Sequence, residues 1–280
     1  MRILLIGGGG VVGTALALRM RDHHRITVLD RRKVSIAGVH SLMADATDHD
    51  VLAAHIRGSQ AVVHLAAIVP RGDTEARSKQ LDAAMRVNVG SVAQALAISV
   101  REAVPSFVHI SSLSVFREFG TRRIPASAPP DAIAPYGLTK RLAENVCAAL
   151  ADEPTTVTSL RLAFPSRAGD WPQWRSPSAD DDAPARSLQL ADGTTYPALH
   201  PDDLADAVNR ALHRRGPYAA IALAHPATIE DESAHRLLGW SPRYFTPQGS
   251  SRAQRPHSVP PPAGEVVAPL RSAATARDGG

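Results

Sequence analysis

Residues 2–13 have the sequence RILLIGGGGVVG, a short apolar run that ends in four consecutive glycines. Gly7, Gly10 and Gly13 follow a G-x-x-G-x-x-G spacing, and a segment with helical apolar periodicity, residues 14–21, comes next. Glycine at these places permits a tight turn and close packing of a helix on a strand. The stretch therefore predicts a β-strand, a glycine turn and a helix.

A second apolar run, residues 26–29, ends at Asp30, 17 residues beyond Gly13. In this order the turn glycines let a pyrophosphate approach the backbone, and the free N–H groups of the helix N-terminus bind it. A plain glycine-rich turn is the alternative interpretation. We predict a dinucleotide site whose turn contacts are Gly7, Gly10, Val11, Val12 and Gly13.

Asp30 indicates which dinucleotide to expect. Its carboxylate can accept both hydroxyls of the adenosine ribose, and it would repel a 2′-phosphate, which favours NAD. Arg31 and Arg32 follow directly and could tolerate that phosphate, so NADP stays open as a second cofactor. We include Arg31 among the predicted cofactor contacts.

The rest of the chain alternates between apolar runs and helical patterns, which predicts an α/β fold. We expect a Rossmann-type, doubly wound parallel sheet with a small C-terminal substrate lobe. Predicted later strands are 41–44, 61–65, 107–110, 157–162 and 219–223, and predicted later helices are 48–56, 75–104, 136–151, 201–212 and 230–238. The predicted divisions are a dinucleotide-binding core at 1–165, a substrate lobe with returning core elements at 166–243, and a disordered, Pro- and Ser-rich tail at 244–280.

Tyr136 and Lys140 lie four residues apart on a predicted helix, so both side chains share one face. A nearby ammonium favours the ionised phenol and lowers its pKa. Such a tyrosine can exchange a proton with a substrate hydroxyl or carbonyl. The alternative interpretation is the start of a surface helix with a solvated lysine.

Polar and small residues follow the middle strands of the predicted sheet. Ser111, Ser112 and Ser114 stand at the C-terminal end of strand 107–110, where ligands bind in parallel sheets, although serine is common in any loop. Asp45 either faces an adenine amino group or is a simple turn residue. Gly90 interrupts a helical pattern at a cost of about 1 kcal/mol, which indicates a packing or functional reason.

Composition argues against several classes of protein. The single cysteine, Cys147, excludes an intrachain disulfide and a Cys-based zinc site, in agreement with a reducing cytoplasm, the predicted location. The twelve histidines form no ligand-spaced cluster, so we predict no metal site. A formal charge of +4 with scattered arginines argues against nucleic acid, and no apolar run reaches the roughly 18 residues of a membrane span.

The order of these motifs resembles the extended short-chain dehydrogenases/reductases, also called the NAD-dependent epimerase/dehydratase family. The resemblance covers residues 1–243. The matching segments are GGGGVVG at 7–13, VLD at 28–30, ADATD at 44–48, HLAA at 64–67, NVG at 88–90, SSLSVF at 111–116, YGLTK at 136–140, Arg161 with Pro165, HPDDLA at 200–205 and LGWSP at 238–242.

The resemblance implies roles for individual residues. Tyr136 would be the acid/base, Lys140 would bind the nicotinamide ribose and lower the Tyr136 pKa, Ser112 would orient the substrate oxygen, and Asn88 would match the asparagine of the family's central helix. A homodimer through helices 75–104 and 136–151 is also implied. Further predicted contacts are Asp30, Asp45, Ala46, Leu65, Ala66, Ala67, Tyr136, Lys140 and Phe164 for the cofactor, and Ser112, Ser114, Arg117 and Tyr136 for the substrate.

Departures from the family pattern bear on the substrate. Phe164 stands where nucleotide-sugar epimerases usually carry Asn, and Tyr196 stands where they often carry Arg. Arg117 could hold a carboxylate bidentately, as the resemblance to the smaller uronate dehydrogenases suggests, or be a solvated loop residue. We expect an NAD(P)-dependent oxidoreductase of a small, sugar-like substrate; the alternatives are a nucleotide-sugar epimerase or dehydratase with recycled NAD, and a non-catalytic dinucleotide-binding protein.

Overall fold

A computed structural model describes residues 1–176 and 183–244, and these contain a seven-stranded parallel sheet. The strands of the structure are β1 (Arg2–Ile6), β2 (Arg25–Asp30), β3 (His40–Met43), β4 (Ala61–His64), β5 (Ser106–Ser112), β6 (Thr156–Leu162), β7 (Leu188–Gln189), β8 (Thr195–Tyr196) and β9 (Ala219–Leu223). The strand order in the seven-stranded sheet is β3-β2-β1-β4-β5-β6-β9, and all six neighbouring pairs are parallel.

The order reverses between β1 and β4, because β2 and β3 extend to one side of β1 and the later strands to the other. In open parallel sheets ligands bind beyond the carboxyl ends of the strands at such a reversal. The predicted doubly wound, Rossmann-type sheet is therefore confirmed, and it places a cleft at the ends of β1 and β4.

Helices cover both faces of the sheet. The helices are α1 (Val11–Met20), α2 (His49–Ile56), α3 (Thr74–Met85), α4 (Ser91–Arg101), α5 (Pro135–Leu150), α6 (Pro201–His213) and α7 (Ser233–Leu238). Strand side chains alternate between the faces, so Ile3 and Leu5 pack under α1, α6 and α7, while Leu4 and Ile6 pack under α2, α4 and α5. Burial on both sides explains why the central strands are continuous apolar runs.

The long helix predicted at 75–104 is interrupted by a π-helical turn, Arg86–Gly90, between α3 and α4. A Cβ on Gly90 would lie 3.8 Å from the Met85 carbonyl oxygen, an ordinary van der Waals contact, so crowding does not demand the glycine. The turn instead places Asn88 in a fully buried position. Such turns recur at functional sites, and here the turn lies above the predicted cofactor cleft.

The continuous helical stretch Thr74–Arg101 corrects one expectation from the sequence. It contains a window of mean hydropathy 1.2 and is long and apolar enough to cross a membrane by length and composition alone. Val92, Ala95 and Leu96 on this stretch are fully buried among core residues of the sheet. A buried core helix passes the same test of length and hydropathy, so the packing favours that interpretation.

The segment between β6 and α6 carries the short antiparallel hairpin β7–β8, and the chain then returns to the sheet through α6 and β9. Gly239 ends α7 in the left-handed conformation, with φ +59°. Tyr244, the first residue of the predicted tail, donates its backbone N–H to Asp203 Oδ2 at 3.1 Å. The rest of that predicted tail, 245–280, lies outside the described residues.

Two histidines occupy adjacent register positions in the buried sheet, His64 on β4 and His109 on β5. His64 Nε2 pairs with Ser91 Oγ at 2.9 Å, and His109 Nδ1 pairs with Ser159 Oγ at 3.1 Å. Burial lowers the pKa of His64 to about 3 and the pKa of His109 well below its usual value, and the Lys140 charge acts in the same direction. Both imidazoles are therefore neutral, packed polar groups.

This burial predicts a specific acid sensitivity. Between about pH 6.5 and 3 the unfolded chain protonates His64 and the folded chain does not, so the free energy of unfolding falls as the pH falls. The contribution is about 1.4 kcal/mol per pH unit for each such histidine. Urea unfolding between pH 7 and 4 should give a shallower pH slope for His64→Gln than for the wild type.

The exposed His23 supplies the matched control, because His23→Gln should leave the slope unchanged. Equal slopes for His64→Gln and the wild type would contradict a neutral, buried His64.

Candidate active site

The glycine turn after β1 lies directly against the end of β4. Gly7 has φ +80°, and a Cβ there would lie 2.4 Å from the backbone of Ala66. A Cβ on Gly13 would lie 2.4 Å from Gly8 Cα, so α1 packs closely on the turn itself. The Cβ position of Gly10 has no atom within 4 Å, and this residue faces the cleft.

Asp30 braces this turn from the end of β2. Its Oδ2 accepts the Gly9 N–H at 2.8 Å, and its Oδ1 accepts the Arg32 N–H at 3.0 Å. Arg32 folds back and donates from Nη2 to the Gly9 carbonyl at 2.8 Å. A carboxylate offers about four acceptor sites, so Asp30 can still accept ribose hydroxyls while it holds the turn.

A cavity of about 360 Å³ opens at the ends of β1, β2 and β4. It brings together nine of the predicted cofactor contacts: Gly7, Gly10, Asp30, Arg31, Asp45, Ala46, Leu65, Ala66 and Ala67. Its lining also includes Leu29, Arg32 and Ala44, which lie in or next to the matching segments, and Ile68 and Val87, which the motifs did not indicate. Val87 reaches the cavity from the π-helical turn and Ile68 from the loop after β4, and neither feature has a sequence signal of its own.

A second cavity, of about 880 Å³, continues the cleft past the N-terminus of α1. It shares Gly10, Arg32 and Ala67 with the first cavity and extends to Val11 and to Ser166 after β6. Five predicted cofactor contacts line neither cavity: Val12, Gly13, Tyr136, Lys140 and Phe164. Gly13 is buried beneath the turn, and the Val12 side chain packs against the core, so only the backbone of Val12 remains for a ligand.

Asp45 closes the far end of the first cavity. Its Oδ1 accepts both the backbone N–H and the hydroxyl of Thr47 at 2.8 Å. These hydrogen bonds lower the pKa of Asp45, so its carboxylate is charged at neutral pH. The turn is therefore internally fixed and borders the cavity, and the contact of Asp45 with an adenine amino group stays a prediction.

Tyr136 stands in the first turn of α5, next to the N1 proline Pro135, and Ser112 stands at the end of β5. Burial raises the pKa of Tyr136 to about 12, while hydrogen bonding with Ser112 acts in the opposite direction. The net direction is therefore opposite to the predicted lowering, because burial disfavours the charged phenolate. Lys140 Nζ donates to the Ile110 carbonyl at 2.7 Å.

Asn88 is buried, and both Oδ1 and Nδ2 of its side-chain amide form hydrogen bonds. Its Oδ1 accepts the Ile68 N–H at 2.7 Å, and its Nδ2 donates to the Ile68 carbonyl and to Thr139 Oγ1, both at 2.9 Å. The side chain thus joins a cavity residue to the helix turn that carries Tyr136 and Lys140. In this structure Asn88 is a brace between the two halves of the site, and its catalytic role stays a prediction.

Phe164 does not turn its side chain toward the cleft. Its backbone has φ +44°, and its ring stacks on Phe119 at 4.7 Å and meets Trp174 edge-on at 5.0 Å. Tyr196 lies in the same aromatic cluster, 6.1 Å from the Phe164 ring. The left-handed backbone directs the ring into the lobe, so the predicted cofactor contact of Phe164 is not made by its side chain.

Two predicted substrate contacts lie in the loop after β5. Ser114 donates its N–H to Ser112 Oγ at 3.1 Å and so holds that hydroxyl in place. Arg117 donates its N–H to Asp131 Oδ1 at 2.8 Å, and its half-exposed guanidinium lies 4.0 Å from the same carboxylate. The Arg117 guanidinium therefore already has an acidic partner in this structure.

Gly137 sets the distance between α5 and this loop. A Cβ at Gly137 would lie 2.1 Å from the Ser114 carbonyl oxygen and 2.8 Å from Ala132 Cβ. The helix can thus approach the loop only because position 137 has no side chain. This close approach brings Tyr136 to Ser112.

No group of three or more His, Cys, Asp or Glu within 1–176 and 183–244 is arranged to hold a metal ion. The candidate site consists instead of the cleft at the ends of β1 and β4, the Ser112–Tyr136 pair, and Lys140 beneath it.

Comparison with known proteins agrees with this arrangement. The model of the NAD dependent epimerase/dehydratase family matches residues 3–224. A curated relative, a 3 beta-hydroxysteroid dehydrogenase/Delta 5-->4-isomerase of Mycobacterium tuberculosis, is 34% identical over 120 residues, which are 41% of this chain and 32% of the relative. The match thus spans about a third of that relative's length.

Two solved structures are similar in fold. MoeE5 in complex with UDP-glucuronic acid and NAD has a TM-score of 0.70 and 18% identity, covering 87% of this chain and 94% of MoeE5. The UDP-glucuronic acid 4-epimerase of Bacillus cereus in complex with NAD has a TM-score of 0.64 and 18% identity, covering 87% and 92%. At this identity the likeness concerns the fold.

The close contact at Gly137 predicts that one added methyl group at this position strongly destabilises the folded protein. Gly137→Ala should lower the free energy of unfolding by about 1–3 kcal/mol, because the new Cβ collides with a backbone carbonyl that cannot move alone. Gly90→Ala is the matched control, since its Cβ meets only an ordinary contact. Urea unfolding of both variants checks this, and a Gly137→Ala variant as stable as the wild type would contradict the close docking of α5.

Proposed function

The chain belongs to the NAD dependent epimerase/dehydratase family, and we propose that it transfers a hydride between NAD and a secondary alcohol or ketone, with Tyr136 as acid/base. One observation carries this proposal. The Asn88 side chain joins Ile68, which lines the cleft, to Thr139, which lies between Tyr136 and Lys140. The helix turn that carries Tyr136 is thus tied to the border of the predicted cofactor cleft.

The residues around the cleft suit NAD. Asp30 would accept the ribose hydroxyls, and the glycine turn with the N-terminus of α1 would bind the pyrophosphate. When bound, the cofactor supplies or accepts the hydride at carbon. Arg31 and Arg32 border the same cavity, so a 2′-phosphate is the variation to test.

Tyr136 handles the proton at oxygen. With a pKa of about 12 its phenol is protonated at neutral pH, so it can donate a proton to the oxygen of a ketone that accepts a hydride. The Ser112 hydroxyl, held by Ser114, would hydrogen-bond the same oxygen and fix its position. The ammonium of Lys140 would stabilise the phenolate that remains.

For the substrate we propose a class of molecules and not a single compound. A small, sugar-like molecule with a secondary hydroxyl agrees with the substrates named for MoeE5 and the Bacillus epimerase, whereas the mycobacterial relative is named for a steroid alcohol. All of these present a secondary alcohol to the same step. A nucleotide-sugar epimerase, in which bound NAD is recycled, is the second candidate, favoured by the structural likeness to that epimerase.

Removal of one hydroxyl tests the catalytic proposal. Tyr136→Phe should lower kcat by about 10²–10⁴-fold, because the proton no longer has a donor, and should leave NADH affinity nearly unchanged. Stopped-flow turnover and NADH fluorescence titration measure the two quantities. Tyr244→Phe is the control, since that hydroxyl bonds Asp202 on the surface of α6. Full activity of Tyr136→Phe would contradict the role of Tyr136 as acid/base.

A substrate panel separates the remaining candidates. Uronic acids, polyols, nucleotide sugars and a 3β-hydroxysteroid should be followed by NADH and NADPH absorbance and by product analysis. A dehydrogenase produces reduced cofactor in proportion to product. An epimerase converts a nucleotide sugar with no net change in NADH, and no reaction with any alcohol or ketone would contradict the oxidoreductase proposal.

A further inference from the structure

Tyr136, Lys140 and Glu144 stand one helical turn apart, along one face of α5. Lys140 is 2% exposed and Glu144 is 5% exposed. We propose that Glu144 is a positioning residue that holds Lys140 charged and in place beneath Tyr136, and that Arg161 fixes the Glu144 carboxylate for this role. The catalytic consequence rests on the proposed function, whereas the coupling between Glu144 and Lys140 does not.

The Glu144 carboxylate is held from two strands. Ser111 on β5 donates its hydroxyl to Oε1 at 2.6 Å. Arg161 on β6 donates from Nε to Oε1 at 3.0 Å and from Nη2 to Oε2 at 2.7 Å, a bidentate pair. Arg161 is itself packed over the Phe116 ring at 5.2 Å. A carboxylate with this many donors has one orientation, so its charge is fixed in space.

Lys140 lacks such a direct partner. Its Nζ donates to the Ile110 carbonyl, and no described carboxylate lies within ion-pair distance of it. Burial lowers the pKa of Lys140 to about 8, and the Glu144 charge acts in the opposite direction. Attraction between the Lys140 ammonium and the Glu144 carboxylate is effective because both groups are buried, where the dielectric constant is low.

The other groups that face Lys140 supply no compensating negative charge. Cys147, on the same helix, has a pKa of about 12 and stays a neutral thiol. His64 on β4 and His109 on β5 are buried and neutral. Among the described neighbours of Lys140, Glu144 therefore carries the charge that favours its ammonium form.

Glu144→Gln tests this coupling, because the amide keeps an acceptor for Ser111 and loses the charge. The proton affinity of Lys140 should fall roughly tenfold, which corresponds to about one pKa unit. The sequence has three lysines, Lys33, Lys79 and Lys140, so their ¹³Cε signals can be resolved in a pH titration of ¹³C-lysine-labelled protein. The signals of Lys33 and Lys79 should not change.

Glu102→Gln is the matched control, because Glu102 pairs with Arg57 at the surface, and it should leave the Lys140 titration unchanged. If Glu144→Gln does not fold, since it leaves Arg161 without its buried partner, the double variant Glu144→Gln/Arg161→Met replaces the pair with neutral groups of similar size. The double variant should also lower the proton affinity of Lys140. An unchanged Lys140 titration in whichever variant folds overturns the proposal.

Turnover measurements separate this inference from the proposed function. In Glu144→Gln the alkaline limb of kcat/KM should move to lower pH together with the Lys140 titration. A shifted titration with an unmoved limb would support the coupling and overturn the role of Lys140 in the proposed reaction. A loss of activity with no change in either pH dependence would indicate a purely structural role and would overturn the positioning role of Glu144.

Discussion

The close approach of the turn after β1 to the end of β4 is the contact on which the cleft depends. Gly7 meets the Ala66 backbone at a distance that excludes any side chain, and the turn lies where the strand order reverses. Asp30 adds a hydrogen bond to the Gly9 N–H, so β2 fixes the turn from the other side. Three neighbouring strands thereby shape one cavity, and the N–H groups that begin α1 face it.

A second close contact assembles the chemical half of the site. The Ser114 carbonyl lies against position 137, where glycine lets α5 approach the loop that carries Ser112. Asn88 then connects the halves, because its amide bonds both the loop after β4 and α5. The site is therefore built by two backbone contacts and one buried side-chain bridge, with Lys140 and Glu144 in the layer beneath.

Local sequence was sufficient for the doubly wound parallel sheet and for nine of the residues that line the first cavity. Glycine spacing, Asp30 and the small residues after β4 each follow from what a bound dinucleotide needs within a short stretch of chain. The direction of the Phe164 ring and the net shift of the Tyr136 pKa could not be predicted in this way, for a common reason. The ring direction of Phe164 depends on a left-handed backbone and an aromatic cluster from the lobe, and the phenol pKa depends on burial by distant elements.

The sequence by itself predicted the parallel sheet through local periodicity, and the resemblance of its motifs predicted the family and the Ser112, Tyr136 and Lys140 set. Only the tertiary structure decided that Asn88 is a brace, that Lys140 bonds the Ile110 carbonyl, and that Arg161 holds the Glu144 carboxylate. These are contacts between different strands and helices. Their distances follow from how α5 packs on β5 and β6, which no local pattern specifies.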